Sequence, residues 1–244
     1  MDKTDWQQKG AGHRQRLREK FLARGIDAFS EAEVVELLLT LGTPRKDCKE
    51  MAKALLARFG SLSKALEASQ AELEQVHGIG PANSFALHFV HGVARLYLKE
   101  RLVGKEYLRS TREVADYLVH AMRDLGRETF AAIFLDAAFG ILGSETISEG
   151  SIASATIYPR EVLRRAFDHH AAALVVAHNH PSGTLSPSAE DRELTRRLFV
   201  ALALADIQLL DHVIVGGNGQ MYSFADHGLM ATIRQECQPL LGGR

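Results

Sequence analysis

Cysteine is scarce in this sequence, whose 244 residues contain only Cys48 and Cys237. The two residues lie far apart and form no Cys-x-x-Cys pair. The dense cysteine usage of small, secreted, disulfide-bonded domains is therefore missing. We therefore expect both cysteines to be free thiols in a reducing compartment.

Net charge is almost absent as well, at −1 for the whole chain. Non-specific binding of nucleic acid needs a concentrated basic field, so only local patches are left for phosphate contacts. The amino terminus lacks the apolar segment of a signal peptide, and no apolar run approaches the roughly 18 residues of a membrane span. These absences predict a soluble, cytoplasmic protein without a membrane partner.

Hydrophobic spacing divides the chain into two regions and a tail. The helical spacing from about Gly12 to Leu102 predicts an all-helical module over residues 1–103. Strand-like runs alternating with helices predict an α/β domain over residues 108–226, followed by a short C-terminal tail over residues 227–244. The expected strands are 129–136, 141–148, 172–177, 209–215 and 220–224, and the expected helices of this domain are 111–122, 159–168 and about 187–205.

Two histidines and a carboxylate lie close together in the second half of the sequence. His178 and His180 directly follow the apolar run 172–177, and Asp191 follows a loop containing two prolines. Side chains two residues apart on a strand share a face, and Asp191, in the first turns of the next helix, can fold back toward them. A catalytic zinc commonly takes three such ligands and leaves a fourth position for water. The pattern predicts a mononuclear metal site.

The same residues have a simpler explanation. Ser188 and Asp191 have the spacing of a helix capping box, which needs no metal. A single histidine at the end of a strand is also structural more often than not. The co-occurrence of all three groups at a strand end favours the metal site, although both interpretations stay open at this point.

The spacing His178-x-His180, seven residues, Ser188, two residues, Asp191 resembles the JAMM motif of the MPN/JAB metallopeptidases. The hexapeptide from His178 to Gly183 (HNHPSG) further resembles the bacterial RadC family within that group. The likeness covers nearly the whole chain, through residues 12–14 (GHR), 44–47 (PRKD), 58–61 (RFGS), 158–162 (YPREV) and 211–212 (DH).

The resemblance implies a JAB/MPN domain of the cytidine-deaminase-like α/β type, with a mixed sheet and one Zn²⁺ on His178, His180 and Asp191. It implies that Ser188 hydrogen-bonds the water or the developing oxyanion at the metal. It also implies a general base, a glutamate from an upstream strand. Our candidate is Glu128, directly before the run Thr129 to Leu135, although its neighbourhood also fits an exposed turn without function.

Other residues near the predicted site leave alternatives open. Glu145 and Glu149, on or just after the second strand, are rivals for the general base, although each also fits an ordinary solvated edge carboxylate. Asp211 or His212 is a candidate to hydrogen-bond a ligating imidazole, as outer-shell groups often do. At least one of the two also fits an ordinary polar group at the start of a strand.

Gly78, Ile79 and Gly80 form a tight turn between two predicted helices in the amino-terminal region. With Leu73 and Val76 this turn resembles a helix-hairpin-helix motif, in which backbone amides hold a DNA phosphate. The next helix begins Pro81-Ala82-Asn83, without the Lys or Arg usual at that place. Close packing of two helices explains the turn equally well.

Three functions compete on these observations. The first is a zinc-dependent metallopeptidase-like hydrolase acting on a protein or peptide, with the helical module choosing the partner. The second is a DNA-repair-associated protein that binds DNA through the helical module and uses the JAB domain as a scaffold or nuclease. A single set of three ligands argues against a nuclease, which commonly uses two metals about 4 Å apart. The third is a metal-binding but catalytically silent interaction module.

Overall fold

The computed structural model describes residues 3–43, 46–150 and 157–242. It divides after Ala94 into two compact units, residues 1–94 and 95–244. Pro44 and Arg45, part of the PRKD segment, lie outside the described residues. Among the helices described, none combines the length and the apolar character that a membrane span requires.

The first unit is helical. Ser30 and Ser69 each open a helix with a capping box, completed by Glu33 and Glu72 respectively, which satisfies backbone donors at the helix start. Eleven buried side chains of the unit form an apolar cluster that includes Val35, Leu55 and Leu87. The helices are α1 (Lys3–Arg24), α2 (Glu31–Gly42), α3 (Lys49–Phe59), α4 (Leu62–Glu67), α5 (Gln70–Glu74) and α6 (Pro81–Glu100), of which α6 runs on past the division.

The second unit is an α/β domain built on a five-stranded mixed sheet. Its elements are α7 (Thr111–Met122), β1 (Thr129–Leu135), β2 (Ile141–Glu149), α8 (Pro159–Asp168), β3 (Ala173–His180), α9 (Ala189–Leu204), β4 (Gln208–Gly216), β5 (Met221–Ser223) and α10 (Leu229–Cys237). The strand order is β2-β1-β3-β4-β5. Strands β3 and β4 are parallel and all other neighbours are antiparallel.

Alternation along β1 separates the two sides of this sheet. Phe130, Ala132 and Phe134 join the cluster formed with α8, α9 and α10. Ile133 and Leu135 join the cluster formed with α7. Because β1 and β3 are buried on both faces, they read as continuous apolar runs in the sequence.

The predicted helical region and α/β domain are both present, with small differences at element ends. Helices α7 and α8 have the predicted bounds. The expectation that the third strand ends at residue 177 is wrong: β3 continues through His180 because β4 keeps pairing with it up to Gly216. His178 and His180 are therefore strand residues and do not lie beyond the strand end.

Candidate metal centre

His178 and His180 are held at the carboxyl end of β3. They pair with Ile214 and Gly216 of the parallel strand β4, while Phe130 of β1 pairs with His178 on the other side. The two imidazoles share a face of the sheet, since one residue separates them. Their Nε2 atoms are 2.9 Å apart.

Asp191 reaches the same point from the first turn of α9. Its Oδ1 lies 3.1 Å from Nε2 of His178, and its Oδ2 lies 3.5 Å from Nε2 of His180. One ligand atom from each of the three residues lies within 4.8 Å of the others. His178 and Asp191 are almost entirely buried, at 0% and 1% exposure, so bulk water does not screen them.

The capping box predicted as the simpler explanation is present and coexists with this cluster. The Asp191 amide donates to Oγ of Ser188 at 3.0 Å, and the Ser188 amide donates to Oδ2 of Asp191 at 2.8 Å. The cap fixes the carboxylate and leaves Oδ1 directed at His178. The capping role of Asp191 is therefore compatible with its place in the cluster.

A buried chain of hydrogen bonds fixes the tautomer of His178. The Thr195 hydroxyl donates to the Asp191 carbonyl at 2.6 Å, so its oxygen accepts from Nδ1 of His212, also at 2.6 Å. Complete burial, together with the nearby His178, lowers the pKa of His212, which is therefore neutral. Its Nε2 then accepts from Nδ1 of His178 at 2.7 Å. Nε2 of His178 is left facing Asp191, where it can accept a metal ion or a proton.

His180 is oriented in the same way by a backbone carbonyl. Its Nδ1 lies 2.6 Å from the Thr184 oxygen, so Nδ1 carries the proton and Nε2 faces the cluster. The Asp191 hydrogen bond raises the pKa of His180; burial opposes this, and the Thr184 carbonyl and the charge of Glu128 add to the rise. Burial would raise the pKa of Asp191, but the hydrogen bonds that His178 and His180 donate when their Nε2 atoms carry a proton outweigh it and hold that pKa well below its usual range.

This arrangement fits a bound cation. Two imidazole lone pairs and a carboxylate converge in a buried space, where they repel one another unless a proton or a metal ion lies between them. Two nitrogen ligands and one oxygen ligand, with hydrogen bonds fixing each imidazole, match the donor set and outer shell of a catalytic zinc site.

Glu128 lies directly before β1 and is half-buried. Its carbonyl accepts from the Gly150 amide at 2.9 Å. Continuing the alternation of β1 by one residue puts Glu128 on the face of Phe130, which is the face of His178. Its negative charge adds to the rise in the pKa of His180.

The rival glutamates are placed differently. Glu145 on β2 contacts Arg165 and lies 2.8 Å from Nε2 of His169. Burial raises its pKa, but the hydrogen bonds from His169 and Arg165 prevail and the net shift is downward. Glu149 is exposed at the end of β2, the outermost strand on that side of the sheet. Glu145 is therefore already paired with two basic side chains.

Of the neighbouring pair Asp211 and His212, only His212 contacts a histidine of the cluster. Asp211 accepts hydrogen bonds from the amides of His212 and Ala225 and from the Ser223 hydroxyl, and so anchors the chain after β5. Thr195, which orients His212, is absent from the sequence-based prediction. Its spacing of four residues from Asp191 on one helix was the available signal, because residues at i and i+4 share a face.

The glycine turn of the first unit lies between α5 and α6. Gly78 has a φ of +90°, and a Cβ there would lie 2.8 Å from the Met51 side chain, so this position requires glycine. Ile79 is buried in the helical core. The cavity next to Gly78 and Gly80 is lined by Lys46 and His77 but also by Asp47 and Glu50, which gives no concentrated positive charge.

The chain matches two family models. Residues 108–229 match the model described as the RadC-like JAB domain, and residues 9–85 match the one described as UPF0758 N-terminal. Similar proteins include UPF0758 protein RSc2444 of Ralstonia nicotianae, 42% identical over 216 residues, or 88% of this chain and 96% of the relative. A UPF0758 protein of Pseudomonas fluorescens is 43% identical over 88% of this chain and 95% of its own length. UPF0758 protein BTH_I0781 of Burkholderia thailandensis is 46% identical over 86% of this chain and 80% of its own length.

Proposed function

The chain belongs to the RadC family and carries a RadC-like JAB domain, and on that premise we propose that it is a zinc-dependent hydrolase of a peptide or isopeptide bond. The observation that carries this proposal is the convergence of two oriented imidazole lone pairs on one buried carboxylate. His178, His180 and Asp191 would hold the ion. When bound, zinc would lower the pKa of a water toward about 7 and polarise the scissile carbonyl.

The residues around the ligands have complementary roles in this proposal. Glu128 is the general base: it takes the proton of the attacking water and passes it to the leaving amine. The Ser188 hydroxyl, next to the Asp191 carboxylate, hydrogen-bonds the water or the oxyanion as charge develops. His212 and Thr195 keep the His178 proton on Nδ1, away from the metal side. No covalent intermediate is needed.

The test separates metal binding from hydrolysis. Zinc content per chain is measured by mass spectrometry for the freshly purified protein and for His178→Ala, Asp191→Ala and Glu128→Gln. We expect about one zinc per chain in the wild type and in Glu128→Gln, and none in the other two variants. Hydrolysis is measured with mixtures of quenched fluorescent peptides and with peptides linked through a lysine Nζ.

Each result bears on the proposal in a definite way. Hydrolysis by the wild type that Glu128→Gln reduces to a small residual rate without loss of zinc supports it. Absence of zinc from the wild type would remove it. Zinc without cleavage of any probe would favour the catalytically silent interaction module.

A second candidate function is DNA binding by the first unit, favoured by the positive φ of Gly78 and by the start of the 20-residue helix α6 directly after Gly80. Backbone amides at such a helix start attract phosphate. A Cβ at Gly80 meets no atom within 4 Å, and the same holds for Gly92 farther along α6. We expect Gly80→Asp, but not Gly92→Asp, to abolish salt-dependent binding of branched DNA in a fluorescence anisotropy titration. Equal binding by both variants would exclude this helix-hairpin-helix role.

A further inference from the structure

Asn179 lies between the two histidines on β3 and faces the opposite side of the sheet. Its strand neighbours of the same parity, Val175 and Ala177, belong to the cluster that packs on α7. The side chain is 1% exposed and fully occupied by hydrogen bonds. Its Nδ2 donates to the carbonyls of Leu125 and Arg127 at 3.0 and 3.1 Å, and its Oδ1 accepts from the Thr129 amide at 2.7 Å.

These three bonds bracket Glu128. Two of the groups that Asn179 binds belong to Arg127 and Thr129, the residues immediately before and after Glu128 in the sequence. The register between β1 and β3 runs from Leu135 and Ala173 to Phe130 and His178, so Glu128 lies beyond the last backbone pair. On the β3 side, the side-chain amide of Asn179 thus supplies the hydrogen bonds to this segment beyond the end of the backbone pairing. On the β2 side, Gly150 holds the Glu128 carbonyl.

We propose that Asn179 is the positioning residue for Glu128, because one strand carries both the metal-ligating histidines and the amide that holds the base. This inference rests on the proposed function and deepens it. A base must stay within hydrogen-bond reach of the proton it takes, and displacement by about 1 Å costs about 100-fold in rate. Asn179 touches neither the metal ligands' Nε2 atoms nor Glu128's carboxylate, so its effect on the reaction passes through the backbone of residues 127–129.

The test compares Asn179→Ala with a matched control at the other end of β1. Asp136 also holds backbone groups there, accepting from the amides of Ala138 and Gly140 at 2.8 Å each. Asp136→Ala therefore removes two side-chain-to-backbone bonds just beyond the opposite end of β1, away from the cluster. If Asn179→Ala fails to fold, Asn179→Leu fills a similar volume on the same apolar face and removes all three hydrogen bonds, so the same measurements apply.

Hydrogen exchange measured by NMR gives a readout independent of activity. In Asn179→Ala we expect the Thr129 amide to exchange about tenfold faster, while the Ala138 and Gly140 amides keep their wild-type rates. Asp136→Ala should show the reverse pattern. Zinc content should stay at the wild-type value, since the histidine orientation does not depend on Asn179.

Kinetics on a cleaved peptide then separate positioning from general loss of structure. We expect kcat to fall about 100-fold with KM unchanged. In a Glu128→Gln background, Asn179→Ala should lower the residual rate by less than about threefold, because two residues that act through one step are not additive. Asp136→Ala should leave kcat near the wild-type value.

The inference is overturned by unchanged Thr129 exchange, by loss of zinc in Asn179→Ala, or by an equal kcat loss in both backgrounds. The proposed function fails separately, if the wild type binds no zinc or cleaves no probe. In that case hydrogen exchange is the deciding measurement. Faster exchange confined to the Thr129 amide in Asn179→Ala supports the role of Asn179 in fixing residues 127–129. Unchanged exchange of this amide overturns that role.

Discussion

Thr195→Val should weaken zinc binding although Thr195 contacts no metal ligand atom. The side chain is fully buried, and valine replaces its hydroxyl by a methyl group of similar shape. The change leaves Nδ1–H of His212 without the acceptor that it has at 2.6 Å. Only two responses are open to the buried, neutral imidazole.

If His212 keeps its proton on Nδ1, an unsatisfied buried donor costs about 1 to 3 kcal/mol. If the proton moves to Nε2, the Nδ1 atom of His178 must become the acceptor of the 2.7 Å bond between the two rings. The proton of His178 then moves to its own Nε2, the atom that faces Asp191. Either response opposes metal binding, and loss of an outer-shell partner typically costs 10- to 100-fold in metal affinity, or about 1.4 to 2.8 kcal/mol.

The assay is competition for zinc with a chromogenic chelator, with far-ultraviolet circular dichroism as the check on folding. Thr195→Ser keeps the hydroxyl and should bind zinc nearly as the wild type does. Thr40→Val is the matched control, since Thr40 is also buried and donates to a helix carbonyl, that of Leu37 at 2.6 Å, in the other unit. A Thr195→Val protein that binds zinc within twofold of the wild type would refute the tautomer argument. Equal weakening in Thr195→Ser would point to packing instead.

Two further predictions concern the first unit. The pKa of Glu33 is lowered to about 2, mainly by the hydrogen bond from Lys20. The ionised Glu33 carboxylate therefore stabilises the folded protein above the pKa of about 4.3 that glutamate has in the unfolded chain, and this stabilisation is lost as the pH falls toward 2. Urea unfolding should therefore show Glu33→Gln less stable than the wild type at pH 6 and equal to it near pH 2; a difference independent of pH would contradict this. Gly42→Ala should destabilise the unit by about 1 to 3 kcal/mol, because the new Cβ would lie 2.5 Å from the Ala82 carbonyl oxygen. Gly92→Ala, in open space on α6, should be neutral or stabilising in the same measurement, and equal effects would show that the clash is relieved.

Much of the fold was predictable because its signals are local. The apolar runs of β1 and β3 and the proline at the start of α8 each depend on a few consecutive residues. The end of β3 was misjudged because its last three residues are polar and strand pairing keeps them extended. The residues that keep this end of β3 extended belong to β4, more than thirty residues farther along the chain, so the local sequence of β3 does not reveal the pairing.

In the candidate site, too, the features set by neighbouring residues were predictable and those set by residues far apart in the chain were not. The spacing of His178, His180 and Asp191 indicated a metal cluster, because strand alternation and a short loop to a helix are properties of neighbouring residues. Ser188 was predicted both as a cap and as a site residue, and its capping bonds with Asp191 are present. His212 contacts His178 from β4, and Asn179 of β3 holds the segment before β1, so these contacts join elements far apart in the chain and no local pattern indicates them. For Thr195, the spacing from Asp191 is local, but the contact with His212 is not.

By itself, the sequence determined the two structural classes of the chain, the family motif and the candidate cluster of two histidines and an aspartate, since periodicity and spacing encode them directly. Only the tertiary structure decided which ring nitrogen of each histidine carries its proton, which member of the Asp211 and His212 pair contacts the cluster, and which side chain brackets Glu128. The physical reason is that a buried hydrogen bond depends on positions in space within about 3 Å, and the folding of β1, β3, β4 and α9 against one another sets those positions.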